Sequence, residues 1–329
     1  MLGYLIRRLF YAVLAVWAVS IISFFIINLP PGDYVTSYIA QLAIQGNIIG
    51  EEEAESLREY YGLDQPNYVQ YLKWMNQIRQ GNLGFSFEFG LPVNDVIGER
   101  LVLTMILALA TVVFIWIAAI PIGILSAVRQ YSIWDHTFTF FGFVGLAVPD
   151  FMLALIMMYF SFVLFDFSVG GLFSPEYVTA SWSLGRGLDL AQHMIIPIII
   201  LGTAGTASLI RITRANLLDE LRKPYVATAR AKGMSEWRLI LKYPVRMALN
   251  PAISLTAYIL PFLVSGSIVV SVVLGLPTVG PILLKALVAQ DMFLAGGIIL
   301  LIGWMTVVGT FLSDLLLVWA DPRVKFEGR

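Results

Sequence analysis

The sequence predicts an all-α integral membrane protein with six transmembrane helices and one large cytoplasmic loop. Hydrophobic residues make up 58% of the 329-residue chain, charged residues make up only 13%, and the mean hydropathy is +0.80. The surface of a water-soluble protein carries more charge than this composition supplies. Apolar stretches longer than the ~20 residues that cross a bilayer recur along the chain. This composition overrides the two soluble domains that the length alone would suggest.

The first predicted transmembrane helix is the apolar run of residues 9–29, which follows Arg7 and Arg8. A secretory signal has a shorter apolar core and a small-residue cleavage site after it, and this run has neither. We therefore assign residues 1–30 to a retained N-terminal helix whose basic end faces the cytoplasm.

Residues 31–100 are predicted to form an extracytoplasmic segment. This stretch is polar and rich in aromatic residues, and its acidic residues outnumber its basic ones. Residues 56–61 and 68–79 have the spacing of short amphipathic helices. The acidic run at residues 51–55 is interpreted as solvated surface rather than as a ligand site, because runs of like charge are usually solvated.

The remaining five transmembrane helices are predicted within a core that covers residues 101–320, followed by a cytoplasmic tail at 321–329. They are residues 101–126, 137–165, 193–210, 252–274 and 293–320. Pro149 lies near the middle of the third span and is expected to kink it, because proline removes a backbone hydrogen bond. The fourth span is full of small residues, which predicts close packing against other helices. Residues 166–192 are read as an outer loop.

The distribution of positive charge sets the predicted orientation. Fifteen of the 21 Lys and Arg residues fall on the side that holds both termini and the loop at residues 211–247. Because basic residues accumulate on the cytoplasmic side, the loop and both termini are predicted to be cytoplasmic. Nine of these charges lie in the wider stretch of residues 209–251: Arg211, Arg214, Arg222, Lys223, Arg230, Lys232, Arg238, Lys242 and Arg246.

Within this basic stretch the residues predict two short helices with a hinge between them. Pro224 suits the first turn of a helix over residues 225–232. Gly233 suits a left-handed stop after it, and Ser235 suits the N-cap of the next helix. Two interpretations remain open from the residues alone: a helix that docks on a partner protein, or a basic patch that holds anionic lipid headgroups.

The two basic side chains at the end of this helix, Arg230 and Lys232, are expected to stay free. They would then bind acidic groups of a partner or carbonyl groups of the loop itself.

Enzymatic and metal chemistry find little support in the sequence. The chain has no Cys and only two His, His136 and His193. No phosphate-binding loop and no motif of a serine hydrolase or a zinc protease occurs in it. We expect no catalytic residue, no bound metal and no cofactor in this chain. The net charge of −1 gives no reason to expect nucleic acid binding.

Two acidic residues lie inside predicted spans, Asp150 next to Pro149 and Asp314 near the inner end of the sixth span. A charge inside a membrane is costly and so marks a candidate functional position. We name Pro149, Asp150 and Asp314 as candidates for the substrate path. The alternative for Asp314 is a helix-end acid that pairs with an arginine of the basic loop.

Residues 211–235, RITRANLLDELRKPYVATARAKGMS, resemble the cytoplasmic loop of ABC importer permeases of the dipeptide, oligopeptide and nickel branch. That loop carries the EAA motif, and Ala227, Thr228 and Ala229 occupy its first positions with Gly233 at its glycine. The glutamate is absent here. Other matches follow in the same order along the chain: LPPGD at 29–33, residues 61–87, ERLVLTMILALA at 99–110, LGLPTVGP at 274–281 and DPRV at 321–324.

The resemblance implies a type I ABC importer permease that works by alternating access in a bacterial or archaeal inner membrane. It implies as partners a second homologous permease, two cytoplasmic ATPases that bind ATP and Mg, an extracytoplasmic solute-binding protein and membrane lipid. Residues 225–232 would be the coupling helix that docks in an ATPase cleft. The implied ATPase-coupling residues are Tyr225, Ala227, Thr228, Ala229, Arg230, Ala231, Lys232 and Gly233.

The implied solute is a di- or oligopeptide or a similar small molecule. Oligosaccharide uptake is the alternative, because the acidic insertion at residues 33–59 departs from the shortest peptide permeases. A stand-alone secondary transporter would show inverted repeats and paired intramembrane ion ligands, which this sequence does not display.

Overall fold

The computed structural model describes residues 2–29, 34–44, 50–165 and 169–320. Within these ranges the chain forms fifteen α-helices and one two-stranded hairpin. The predicted tail at residues 321–329 lies outside the described residues, as do residues 30–33 of the LPPGD motif. The chain divides into two compact units, and the division falls within two of the helices, α5 and α15 (Val93–Val128 and Met292–Ala320).

The first unit comprises Met1–Thr104 and Thr278–Val307. Besides parts of α5 and α15 it contains α1 (Leu2–Ile27), α2 (Tyr34–Ile44), α3 (Glu51–Tyr61), α4 (Asn67–Arg79), β1 (Phe85–Ser86), β2 (Leu91–Pro92) and α14 (Val279–Val288). The two amphipathic helices predicted in the outer segment are confirmed as α3 and α4, although α3 begins five residues earlier than expected.

Trp74 is the centre of the packing in the first unit. It is 1% exposed, stacks on Phe24 with ring centroids 5.7 Å apart, and donates its indole N–H to the Leu83 carbonyl at 2.8 Å. A side chain could not be added at Gly296, since a Cβ there would lie 2.9 Å from the indole. Glycine therefore lets α15 approach α4 closely.

A buried carboxylate fixes the hairpin in the same unit. Asp291 is fully buried, and its Oδ2 accepts hydrogen bonds from the Ser86 hydroxyl at 2.6 Å and the Glu88 backbone N–H at 3.1 Å. Its Oδ1 accepts from the backbone N–H of Leu294, in the first turn of α15, at 3.1 Å. One side chain thus joins the hairpin to a helix start, where backbone N–H groups lack partners within the helix.

The second unit comprises Met105–Pro277 and Val308–Arg329. Besides the remaining parts of α5 and α15 it contains α6 (Ile133–Ala147), α7 (Asp150–Phe165), α8 (Leu184–His193), α9 (Ile195–Leu221), α10 (Pro224–Ala231), α11 (Glu236–Lys242), α12 (Pro244–Ala248) and α13 (Asn250–Val273).

The long helix α9 packs against α6, α7, α12 and α13. The close packing predicted from its small residues is confirmed on the side that faces α5. A Cβ at Gly202 would lie 2.6 Å from the Phe114 ring, and one at Gly205 would lie 2.6 Å from the Ile115 side chain. Only hydrogen fits at these two positions without moving a neighbour.

The third predicted span, residues 137–165, is not one kinked helix. It is divided into α6 and α7, whose axes differ in direction by 105°. The cause is the proline at the break. Val148 precedes it and adopts extended backbone (φ −86°, ψ 122°), because a residue before proline rarely takes helical geometry. Pro149 then starts the new helix, with its carbonyl accepting from Met152 and Leu153.

Among the described residues, three helices are long and apolar enough to cross a membrane: α5, α9 and the part of α15 from Met292 to Phe311. The bent pair α6 and α7 is a fourth if it counts as one span. The chain is therefore a helical membrane protein. The outer loop predicted at residues 166–192 needs correction, because it contains most of α8.

Candidate functional site

The candidate site is the basic segment, which we define as residues 209–251. It begins on the last turns of α9, continues through α10, α11 and α12, and ends at the start of α13. It folds on an apolar core in which Val226, Leu239 and Ile240 are each at most 2% exposed. These side chains pack with Leu217 of α9 and Ala127 of α5. The segment is thus a folded platform on the ends of two long helices.

The helix α10 has the boundaries that its sequence predicts, to within one residue at each end. Pro224 occupies the first turn, where its missing N–H costs nothing. Lys232 is the C-cap, and Gly233 follows with φ of +78°, a left-handed conformation that favours glycine. A Cβ at Gly233 would meet no atom within 4 Å, so the glycine is required by the backbone conformation alone.

One face of α10 is buried and the other carries small side chains. Val226 is 1% exposed in the core of the basic segment, and Ala229 packs partly against that core. Ala227, Thr228 and Ala231 are exposed. The Thr228 hydroxyl donates to the Pro224 carbonyl at 3.0 Å and so does not project a free polar group. Apart from Pro224 and Arg230, the exposed side chains of α10 are therefore small.

A carboxylate braces the start of α10 against the end of α9. Glu220 accepts a hydrogen bond from the Tyr225 hydroxyl at 2.7 Å and one from the Lys223 ammonium at 2.5 Å. Burial, together with the bond to Glu220, raises the pKa of the Tyr225 phenol, so this hydroxyl keeps its proton and stays a donor. Sequence reasoning did not identify Glu220.

The prediction that Arg230 stays free is wrong. Its guanidinium binds both carboxylate oxygens of Glu236, with 3.0 Å between Nε and Oε2, and so bridges α10 and α11 across Gly233. The bond to Arg230 lowers the pKa of the Glu236 carboxyl. Lys232 is exposed as expected. Ser235 occupies the N-cap of α11 as predicted, but its side chain makes no capping hydrogen bond.

Beside α10 the basic segment forms an open concavity of about 1410 Å³. The side chains of α10, α11 and α12 line it, and Glu220 is the one acid among the lining residues. The basic residues that line it are Lys223, Lys232, Arg238, Lys242 and Arg246. This surface attracts negatively charged groups.

A second ion pair connects the N-terminal part of the basic segment to α6. Arg214 of α9 donates from Nε and Nη2 to the two oxygens of Asp135, at 2.7 and 2.8 Å. Asp135 is 3% exposed and also accepts from the Tyr131 backbone N–H at 3.0 Å. Its backbone N–H is capped by Ser132. The Ser-x-x-Asp spacing is the sequence signal that could have identified this acid at a helix start.

The candidates for the substrate path are not brought together by the described contacts. Pro149 is exposed at the break between α6 and α7, and Asp150 is the half-buried first residue of α7. An acid there is favoured by the positive end of the helix dipole, which is a structural reason for its presence. Asp314 lies on α15, but its side chain is outside the described residues.

Comparison with known proteins yields two family matches. The model of the binding-protein-dependent transport system inner membrane component matches residues 119–326, and the model of the corresponding N-terminal region matches residues 1–110. The oligopeptide transport system permease protein AppB of Bacillus subtilis is 35% identical, over 99% of this chain and 100% of its own length. The dipeptide transport system permease protein DppB of Escherichia coli is 30% identical, also over 99% and 100%.

The fold is shared with a solved structure. An inward-facing crystal structure of the MetNI methionine ABC transporter superposes with a TM-score of 0.52, covering 69% of this chain and 96% of the matched chain, at 16% identity. At this identity the likeness concerns the fold.

Proposed function

Because the chain belongs to the family of binding-protein-dependent transport system inner membrane components, we propose that it is the permease subunit of an ATP-driven peptide importer. The observation that carries this proposal is the full-length match to proteins named as oligopeptide and dipeptide permeases. The chain would form half of the translocation pathway and a second, homologous permease the other half. The two relatives favour peptides over the oligosaccharides that the acidic outer insertion suggested.

In this proposal the energy comes from partner subunits. Two cytoplasmic ATPases bind ATP and Mg, and an extracytoplasmic binding protein delivers the solute. This chain contributes no phosphate-binding loop to the assembly. Its own contribution is a pathway whose two sides open in alternation.

The proposed membrane topology has six spans: α1, α5, the bent pair α6 and α7, α9, α13 and α15. The basic segment and both termini lie in the cytoplasm, because most of the positive charge falls on that side. The hairpin and α8 then lie outside.

We assign α10 as the coupling helix that docks on an ATPase. Its exposed small side chains, Ala227, Thr228 and Ala231, suit insertion into a cleft of a partner. The opposite face is joined through Val226 to Leu217 of α9, so a displacement of α10 is passed to a transmembrane helix. The basic concavity beside α10 gives the docking surface a positive rim.

The backbone at Gly233 provides the first test. Gly233→Val places a β-branched residue in a left-handed conformation, where no neighbouring atom would clash with the new Cβ. The strain therefore comes from the backbone alone and should shift the end of α10. In proteoliposomes that contain the whole importer, peptide uptake per ATP hydrolysed should fall several-fold. Gly62→Val is the matched control, since Gly62 has φ of +70° and equally open surroundings but ends α3.

Gly233→Asn is the conservative variant, because asparagine tolerates the left-handed region. It should retain most of the coupling. Equal uptake per ATP in Gly233→Val and Gly62→Val would exclude this role of the helix stop.

Docking itself can be followed with a single thiol, since the chain has no Cys. Ala227→Cys in the purified permease should react with a water-soluble maleimide and become protected when the ATPase subunits are added. Thr179→Cys, which is exposed in the proposed outer loop, should react equally in both samples. If Ala227→Cys stays reactive in the assembled importer, the docking surface lies elsewhere.

A further inference from the structure

The helix α8 turns its two charged residues inward and two of its three leucines outward, while the third, Leu190, is buried. Arg186 and Asp189 are 4% and 9% exposed, whereas Leu184 and Leu188 are 83% and 60% exposed. The two leucines are four residues apart and so share one face of the helix. A helix on a water-facing surface has the reverse arrangement.

The inward polar face is held by specific contacts. The Arg186 guanidinium lies between the rings of Phe173 and Trp182, 4.6 Å from each centroid. Asp189 accepts hydrogen bonds from the backbone N–H of Ser174 at 2.8 Å and from its hydroxyl at 2.6 Å. These contacts fix the rotation of α8 about its axis, so the leucines cannot turn inward without breaking them.

The apolar stripe continues beyond α8. Ile195, the first residue of α9, lies just beyond the end of α8 and is 55% exposed. Trp182, just before the N-cap of α8, is 51% exposed. Tryptophan favours the level of the lipid headgroups, because its ring is apolar and its N–H is polar. The stripe therefore leads into a helix that is long enough to cross a membrane.

We propose that α8 lies in the plane of the outer membrane interface, with Leu184 and Leu188 inserted among the lipid acyl chains. Both charged side chains of α8, Arg186 and Asp189, are turned inward, which leaves an uncharged outer stripe of the kind that binds bilayers. A surface for a transient protein partner carries a polar, charged rim around its apolar centre. The assignment to the outer interface uses the orientation in the proposed function, whereas insertion into lipid does not.

The test measures depth in the bilayer with nitroxide labels. The full-length chain, alone and within the assembled importer, is reconstituted in phosphatidylcholine and phosphatidylglycerol bilayers with a single label at Leu184→Cys or Leu188→Cys. Oxygen concentrates in the acyl region, and a nickel chelate stays in water. Both labels should be several-fold more accessible to oxygen, relative to the chelate, than labels at Thr179→Cys and Glu176→Cys, which are exposed on the same loop.

Each result decides the matter. Access to the nickel chelate at Leu184 and Leu188 equal to that of the controls would place α8 in water and overturn the proposal. Low access to both reagents in the assembled importer would mean that a protein covers the stripe, which also overturns it. Ala191→Cys, on the same exposed face, repeats the measurement if either leucine variant fails to insert.

Sidedness is measured separately, with a membrane-impermeant thiol reagent on Thr179→Cys in sealed vesicles. Reaction from the cytoplasmic side alone would refute the orientation in the proposed function and the assignment to the outer interface. The depth measurement on Leu184 and Leu188 would still report whether α8 lies in lipid.

Discussion

The hairpin of the first unit and the basic segment of the second use carboxylates in opposite ways. Asp291 is fully buried and serves three donors from the hairpin and α15. Glu236 is 52% exposed, and its partner Arg230 is 55% exposed. Buried hydrogen bonds are strong and costly to leave unmade, whereas exposed ion pairs exchange with water and ions. The hairpin is therefore fixed, while the basic segment combines an apolar core with a surface that a partner can rearrange.

The largest effect is expected at Asp291. Asp291→Ala leaves three donors without their acceptor, and at ~1–3 kcal/mol for each unsatisfied group it should lower the free energy of unfolding by at least about 3 kcal/mol. Thermal or denaturant unfolding of the detergent-solubilised chain measures this loss. Asp291→Asn, which keeps one acceptor oxygen and the volume, should lose less. If Asp291→Ala unfolds like the wild type, the contrast between the two regions disappears.

The apolar core of the basic segment comes next. Val226→Asp buries a charge among Leu217, Leu239 and Ile240 and should cost about 2 kcal/mol or more locally. Limited proteolysis of residues 209–251 reports that opening. Ala227→Asp, one residue along on the exposed face, should leave the cleavage rate unchanged. Equal sensitivity in the two variants would show that α10 does not present one buried and one exposed face.

Between the two extremes lies the ion pair of Asp135 and Arg214, since the acid is buried and the side chain of the arginine is 27% exposed. Asp135→Asn should cost about 1–2 kcal/mol, less than the ~3–5 kcal/mol of a fully buried broken pair. The same unfolding experiment measures it. Arg214→Lys keeps the charge but loses the two-point contact and should fall between Asp135→Asn and the wild type. If Asp135→Asn lowered the free energy of unfolding as much as Asp291→Ala does, the expected order of the two sites would be wrong.

The smallest effect belongs to Arg230 and Glu236. Because the arginine lowers the pKa of the Glu236 carboxyl, the pair stabilises the segment above the ordinary pKa of that group. This stabilisation is lost as the pH falls through the lowered pKa. We expect a small increase in proteolysis of the basic segment on acidification. This increase should be smaller at ~1 M salt, because charges are then screened over ~3 Å and the ion pair is already weakened. Glu236→Gln should abolish that pH dependence, and an unchanged profile in this variant would assign it to another group.

The structure could be predicted from the sequence where the determining residues are adjacent along the chain. Pro224 and Gly233 define α10 to within a residue, because their effects on the backbone are local. Pro149 indicated a break in the helix but not the 105° angle, because a proline disfavours helical geometry in the residue before it without fixing the direction of the next helix. The pairing of Arg230 with Glu236 required knowing how Gly233 turns the chain.

The helix α8 shows most clearly what could not be predicted from the sequence. Its leucine spacing is that of an ordinary amphipathic helix, for which the apolar face is expected to be buried. The opposite rotation depends on Phe173 and Ser174, which lie outside the helix and receive its arginine and aspartate. A periodicity within ten residues contains no information about such partners.

The helix α9 is longer than the hydrocarbon core of a bilayer is thick. Its 27 residues make a helix about 40 Å long at ~1.5 Å per residue. The hydrocarbon core of a bilayer is ~30 Å thick. Along its own axis, α9 therefore exceeds the acyl layer by roughly 10 Å, which is about the diameter of a helix. If α9 crosses the bilayer as proposed, with its start at the outer interface, that excess would hold α10 clear of the acyl layer and within reach of a partner in the cytoplasm.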